Sequence, residues 1–203
     1  MMEQASGTRV SLLMRVRDSA DTAAWAEFDK RYGPLILAYC RARGCQHTDA
    51  EDIRQLVMAK LASRLRTFEY HKECGGFRRY LRTVTRGEMA RHASGFSVRL
   101  GHYPFDADSF DEQAQATDDD DAVWEREWMR HHFRIAWETV KEHSDESSLA
   151  VFRQLLSGVA PRRIAQATGM SEPAIRKIKQ RMCDRLRAAI AEQILDEEQN
   201  PSI

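Results

Sequence analysis

Apolar side chains recur along this chain at spacings of three and four, which places them on single faces of helices. Trp25, Phe28, Tyr32, Leu35 and Tyr39 form the first such stripe. Asp21 or Thr22 is placed to cap its start. Gly33-Pro34 predicts a bend or restart, because proline removes a backbone donor and crowds the preceding turn. A second helix is expected after a cap at Thr48 or Asp49, with Ile53, Leu56, Val57, Leu61 and Leu65 as its stripe. A third should begin near Gly75-Gly76 and carry Phe77, Tyr80, Leu81, Val84 and Met89, with Gly87 as a weak point of about 1 kcal/mol against alanine. From Gly95 to about Asp121 the periodicity disappears into Gly101, Pro104 and many aspartates, the composition of a linker. It returns at Trp124, Trp128, Phe133, Ala136, Trp137 and Val140, and again at Leu149, Phe152, Leu155 and Leu156. No alternating run is long enough to predict a strand. The expected fold class is all-α, as two small helical domains on an acidic tether. Its parts are an arm over 1–20, a first body over 21–94, a linker over 95–121 and a second body over 122–203.

Charge sharpens that division. The formal net charge of the 203 residues is zero. Yet Met1–Ser94 holds 17 basic and 11 acidic residues, Gly95–Ser148 holds 5 and 14, and Leu149–Ile190 holds 9 and 2. Two cationic bodies around an anionic spacer suit two contacts with a polyanion and a connector that avoids or imitates it.

The sharpest local motif runs from Gly158 to Arg187. Pro161 suits the first turn of a helix, and Gly169 suits its end, where a residue tolerating positive φ is wanted. Met170 follows as a turn residue directed at the core. Ser171 can cap the next helix, with Pro173 tolerated in its first turn. Ile175, Ile178, Met182 and Leu186 fall on one face, while Arg176, Lys177, Lys179, Gln180 and Arg181 lie mostly outside it. This is the pattern of a helix-turn-helix whose basic second helix can neutralise phosphates and reach base edges. The bland alternative is a solvated basic face on a structural helix pair.

Asp49, Glu51 and Asp52 open the second helix, where acids favour the helix dipole. After it come Arg64, Arg66, Phe68, Tyr70, Lys72, Phe77, Arg78, Arg79, Tyr80, Arg82 and Arg86, aromatics interleaved with cations. Single-stranded DNA capture needs both kinds, rings for unstacked bases and cations for the backbone. Taken alone, the spacing of Phe77 and Tyr80 with Leu81 and Val84 favours a core role for those two rings.

The order of these features resembles a family. An Asp-Ala-Glu-Asp-Ile-Arg-Gln-Leu-Val helix precedes Phe68-Glu69-Tyr70 and then Phe77-Arg-Arg-Tyr-Leu-Arg-Thr-Val-Thr-Arg, followed by a linker and a helix-turn-helix. The chain is similar to the sigma-70 factors of bacterial transcription, specifically the small extracytoplasmic-function (ECF) group that keeps only regions two and four. The resemblance implies that residues 21–94 form region two and 122–203 region four. Core RNA polymerase would dock on Asp49, Glu51, Asp52, Gln55 and Leu56. The minus-ten element would meet Phe68, Tyr70, Phe77, Arg78, Arg79, Tyr80, Arg82, Thr83 and Arg86. The minus-thirty-five element would meet Ser171, Glu172, Arg176, Lys177 and Gln180, with Lys179 and Arg181 nearer its phosphates. Partners would then be core polymerase and promoter DNA, with an anti-sigma protein as a further one. Two positions depart from the family pattern: Gly87 stands where many relatives have Asn, and Arg162-Arg163 replaces a commonly acidic pair.

Other classes find less support. Adjacent His131 and His132 do not share a helical face, Gly75-Gly76 lacks a following Lys-Ser or Lys-Thr, and no local Ser, His and acid motif appears. Neither an enzyme, a metal site nor a bound cofactor is expected. Cys40, Cys45, Cys74 and Cys183 form no Cys-x-x-Cys pair, and His71 with Cys74 supplies only two ligands. With no signal peptide and no apolar run of about 20 residues, a cytoplasmic protein free of the membrane is expected. A helix-turn-helix regulator with an unrelated amino-terminal domain explains the second basic block equally well, but not the acid-led helix and the aromatic-basic stretch. An adaptor that keeps the architecture and binds other proteins is the remaining alternative.

Overall fold

A computed structural model of the chain describes residues 12–65, 76–93 and 118–198. These form eight helices: α1 (Leu12–Arg15), α2 (Thr22–Ala42), α3 (His47–Arg64), α4 (Gly76–Ala93), α5 (Asp118–Glu142), α6 (Glu146–Leu156), α7 (Pro161–Thr168) and α8 (Glu172–Glu198). There is no strand among the described residues, and the fold is all-α. Two compact units emerge among the described residues, one of those up to Trp128 together with those from Asp196, the other Met129–Leu195.

In the first unit, Asp21 caps α2 by accepting a hydrogen bond from the Ala24 amide at 2.8 Å. Of the expected bend or restart, the restart does not occur: α2 is one helix through Gly33-Pro34. An interior proline costs about 3 kcal/mol. Phe28, Tyr32, Leu35, Ile36 and Tyr39 are buried on both sides of it, each worth about 1.5–3 kcal/mol, so burial of the whole face prevails. Gly33 also permits close approach: a β-carbon there would lie 2.8 Å from Asp29 Oδ1 and 3.3 Å from Arg54 Cδ. Arg54 uses that space to bond Asp29 at 2.5 Å and Glu51 at 2.9 Å, tying α3 to α2.

The start of α3 differs from expectation too. Its N-cap is Gln46, in extended conformation and without a side-chain cap bond, so Thr48 and Asp49 lie inside the first turn. Asp49 there still interacts favourably with the helix dipole. Ala50, Ile53, Val57 and Leu61 are buried on one face of α3, and Leu56 is on the other side, 38% exposed. In α4, Phe77, Tyr80, Leu81 and Val84 are buried, and the Phe77 ring meets those of Phe28 and Tyr32 edge-on at 5.8 and 5.0 Å. Buried Glu88 links α3 and α4 by pairing with Lys60 at 3.0 Å and Arg91 at 2.5 Å. Burial pushes the Lys60 ammonium below its ordinary pKa, against the opposing pull of Glu88.

The first half of α5 completes this unit. Val123, Trp124 and Trp128 are buried in the same core as α2, α3 and α4, with Trp124 edge-on to Tyr39 at 5.0 Å. Asp118–Asp121, expected to end the linker, is the first turn of this helix. The rest of the expected linker, 95–117, lies outside the described residues.

In the second unit, Asp145 caps α6 by accepting from the Ser148 amide at 2.7 Å. Ala136 and Val140 of α5, Leu149 and Phe152 of α6, and Met182 and Leu186 of α8 form one core cluster. Val151, Ile164 and Ile175 form another, against which Met170 and Ile178 pack. Leu156 (55%) and Phe133 (39%), both in the expected apolar stripes, are exposed. No helix among the described residues is long and apolar enough to cross a membrane.

Candidate nucleic-acid interface

The second unit presents its cations on a simple scaffold. Pro161 occupies the first turn of α7, where its missing N–H is not needed. Gly169 ends α7 with φ +71°, donating its N–H to the Ala165 carbonyl. The Ser171 hydroxyl accepts from the Ala174 amide at 3.4 Å, at the start of α8. Ile175, Ile178 and Met182 face inward, while Lys177, Lys179 and Gln180 are exposed. Arg176 is 72% exposed and lies 3.5 Å from Glu172 one turn earlier. Arg181 differs from its neighbours: it donates to Ser148 Oγ at 2.7 Å and pairs with Asp145 at 3.7 Å, bracing the start of α6. Five of the expected side chains, Ser171, Arg176, Lys177, Lys179 and Gln180, are thus exposed on or just before the first turns of one helix.

In the first unit, the expected docking residues divide. Asp52, Gln55 and Leu56 are exposed on the side of α3 away from its core, and Asp49 is partly exposed beside them. The Glu51 carboxylate is turned to Arg54, so it is engaged within the unit. The outward set combines two carboxylates, an amide and one leucine, a surface suited to a protein partner.

The expected minus-ten residues divide more sharply. Phe68 and Tyr70 lie outside the described residues. Phe77 and Tyr80 are 2% and 6% exposed, and burial raises the Tyr80 hydroxyl to about 12. This corrects the expectation that these two rings meet DNA, since a ring closed inside a helical core has no face to offer a base. Arg79 is exposed, and Thr83, partly exposed, donates its hydroxyl to the Arg79 carbonyl at 3.0 Å.

Arg78, Arg82 and Arg86 recur every fourth residue, so they line one flank of α4. Each meets a carboxylate from the first turns of α5. Arg78 bonds Glu125, Arg82 bonds Asp121 at 2.7 Å, and Arg86 lies 3.8 Å from Asp120. Asp120 also pairs with Arg43, which follows α2, at 2.7 Å. The Arg78 guanidinium lies over the Trp128 ring, 5.1 Å from its centre. Burial pulls the Arg78 pKa down, and Arg82 nearby lowers it further.

The amino-terminal unit also has a counterpart among known families. Residues 28–95 match sigma-70 region 2. That match supports a sigma-70 factor, with a role in transcription initiation and with core RNA polymerase and promoter DNA as partners. No curated protein and no solved structure matches the chain. The sigma-70 region 2 segment takes in α3 and α4 entire, and α2 from Phe28 onward. It therefore holds both the outward face of α3 and the cationic flank of α4.

Sequence reasoning did not foresee Arg43, Asp120, Asp121, Glu125 and Trp128 as members of this surface. A signal was available: Asp121 and Glu125 are four apart, as are Arg78, Arg82 and Arg86. Two rows with helical spacing and opposite charge can pair when their helices lie side by side.

Proposed function

We propose that this protein is an ECF-type sigma factor that brings core RNA polymerase to specific promoters and opens them there. The match of residues 28–95 to sigma-70 region 2 carries the reading. Asp49, Asp52, Gln55 and Leu56 of α3 dock on the polymerase. Arg78, Arg79, Arg82, Thr83 and Arg86 of α4 hold the minus-ten strand, with Phe68 and Tyr70 of the preceding segment as the base-stacking rings. In the other unit, α7 and α8 act as a helix-turn-helix that reads the minus-thirty-five element through Ser171, Arg176, Lys177 and Gln180. The exposure of these four side chains and the left-handed Gly169 turn support that role.

In this mechanism the protein performs no covalent chemistry. Cations in the second unit neutralise duplex phosphates and fix the register, and side chains at the start of α8 meet base edges. The first unit binds polymerase and stabilises separated strands by pairing guanidinium groups with phosphates. Each contact can be weak alone, since joining the units in one chain raises the effective concentration of the second contact. Transcription in vitro with purified core enzyme and a promoter library tests the assignment. Start sites that require the added chain are expected. A regulator with an unrelated amino-terminal domain would yield none.

A further inference from the structure

Three observations on α4 and α5 belong together. The arginines that the reading above assigns to promoter DNA are already opposed by anions of the same chain, in the order Arg78–Glu125, Arg82–Asp121 and Arg86–Asp120. The two sequences run in opposite directions through these pairs, and four residues of helix rise about 6 Å, so a row of cations faces a row of monoanions. Buried Trp124 and Trp128 hold the acidic turns in place. A further carboxylate, Glu197 in the last turn of α8, accepts from the Tyr32 hydroxyl at 2.8 Å, lies 3.8 Å from Arg31, and raises the pKa of Arg78 against its burial.

We propose that the acidic first turns of α5 are a displaceable stand-in for nucleic-acid phosphate, masking the strand-binding flank of α4 until DNA replaces them. The inference rests on the function proposed above, because it assumes that this flank meets DNA. The exposure of the pairs makes exchange feasible. The Asp121 side chain is 46% exposed and that of Glu125 57%, so water and salt reach both. Asp120, at 13%, is the inner anchor between Arg43 and Arg86. A single strand entering here would supply the arginines with phosphates in place of carboxylates. The free chain thereby binds stray DNA weakly while keeping its cations in register.

The test uses the full-length chain and a short fluorescent single-stranded oligonucleotide of mixed sequence, with binding read by anisotropy at fixed salt. The variant Asp120→Asn/Asp121→Asn/Glu125→Gln should bind roughly tenfold more tightly than the parent. A control, Glu138→Gln/Glu142→Gln/Glu192→Gln, makes the same change in net charge within the other unit and should bind much less tightly than the first variant. Equal tightening in both would reduce the effect to bulk charge and overturn the proposal, as would unchanged binding by a folded first variant. If that variant does not fold, Asp121→Asn alone should still tighten binding measurably, and no change would overturn the idea. Hydrogen exchange gives a reading without mutation: oligonucleotide added to the parent chain should speed exchange over 118–128, and slower exchange there contradicts displacement. Arg82→Ala separates the two readings. If it leaves transcription by the polymerase complex intact, the assignment of α4 to DNA fails. If it impairs transcription while the carboxylate variants leave oligonucleotide binding unchanged, only the mask fails.

Discussion

Phe77 and Asp52 show how burial assigns roles within a single short motif. The Phe77 ring is enclosed by Phe28 and Tyr32, so Phe77→Ala removes core volume and should destabilise the first unit by about 3–5 kcal/mol. Urea denaturation checks this, and an unchanged midpoint would return the ring to a surface role. Asp52 is exposed on α3, and its substitution touches no core contact. Asp52→Lys should lower affinity for core polymerase by about tenfold or more, the size of effect expected when a charge at a protein interface is reversed. Its melting temperature and its weak binding to isolated duplex should stay close to the parent's. A titration with core enzyme beside one with duplex DNA distinguishes these outcomes. The core role of Phe77 and Tyr80 was legible in their spacing with Leu81 and Val84; what favoured DNA was their alternation with arginines. Alternation describes which residues are near one another in sequence, whereas the helical period decides which of them point inward.

At the scale of elements, strong periodicity was legible and boundaries were less so. The stripes of α2, α3, α4 and α8 identify helices because each buries a continuous face. The caps were harder. Asp21 caps α2 as its position suggests, but Gln46 rather than Thr48 or Asp49 stands before α3. Pro34 does not end α2, because its local cost is outweighed by burial on both sides. Asp118–Asp121 looked like linker because it carries no apolar residue. The helix begins there because the arginines of α4, far away in sequence, neutralise two of those carboxylates. Gly169 is a case in which local chemistry sufficed. Its φ of +71° suits glycine, and a β-carbon would meet nothing within 4 Å. The cost of Gly169→Ala is therefore backbone strain alone, about 1–2 kcal/mol. A lower melting temperature of the second unit, accompanied by weaker duplex binding, is the expected result. Full stability would mean that the turn relaxes to another conformation.

At the scale of the whole molecule, alkaline pH should weaken the first unit in particular. Its core holds Tyr39, Tyr80 and Cys40, and burial raises all three to about 12 from ordinary values of 10.0, 10.0 and 9.0. Each group keeps its proton more firmly when folded than when unfolded. Stability is therefore complete below pH 9 and falls as pH rises from 9 towards 12, by at most about 1.4 kcal/mol per pH unit for each group titrating only in the unfolded state. Denaturation curves across that range should show the loss, and a flat profile would contradict the burial of these groups. The proposed function depends on a different property, the ability of one chain to join polymerase and promoter. Gel filtration of the purified chain with core RNA polymerase tests that most directly. The account predicts that the chain co-elutes with the enzyme as a stable complex and that Asp52→Lys shifts it back to its own elution volume. A parent chain that elutes alone at concentrations well above those of the assay would contradict it.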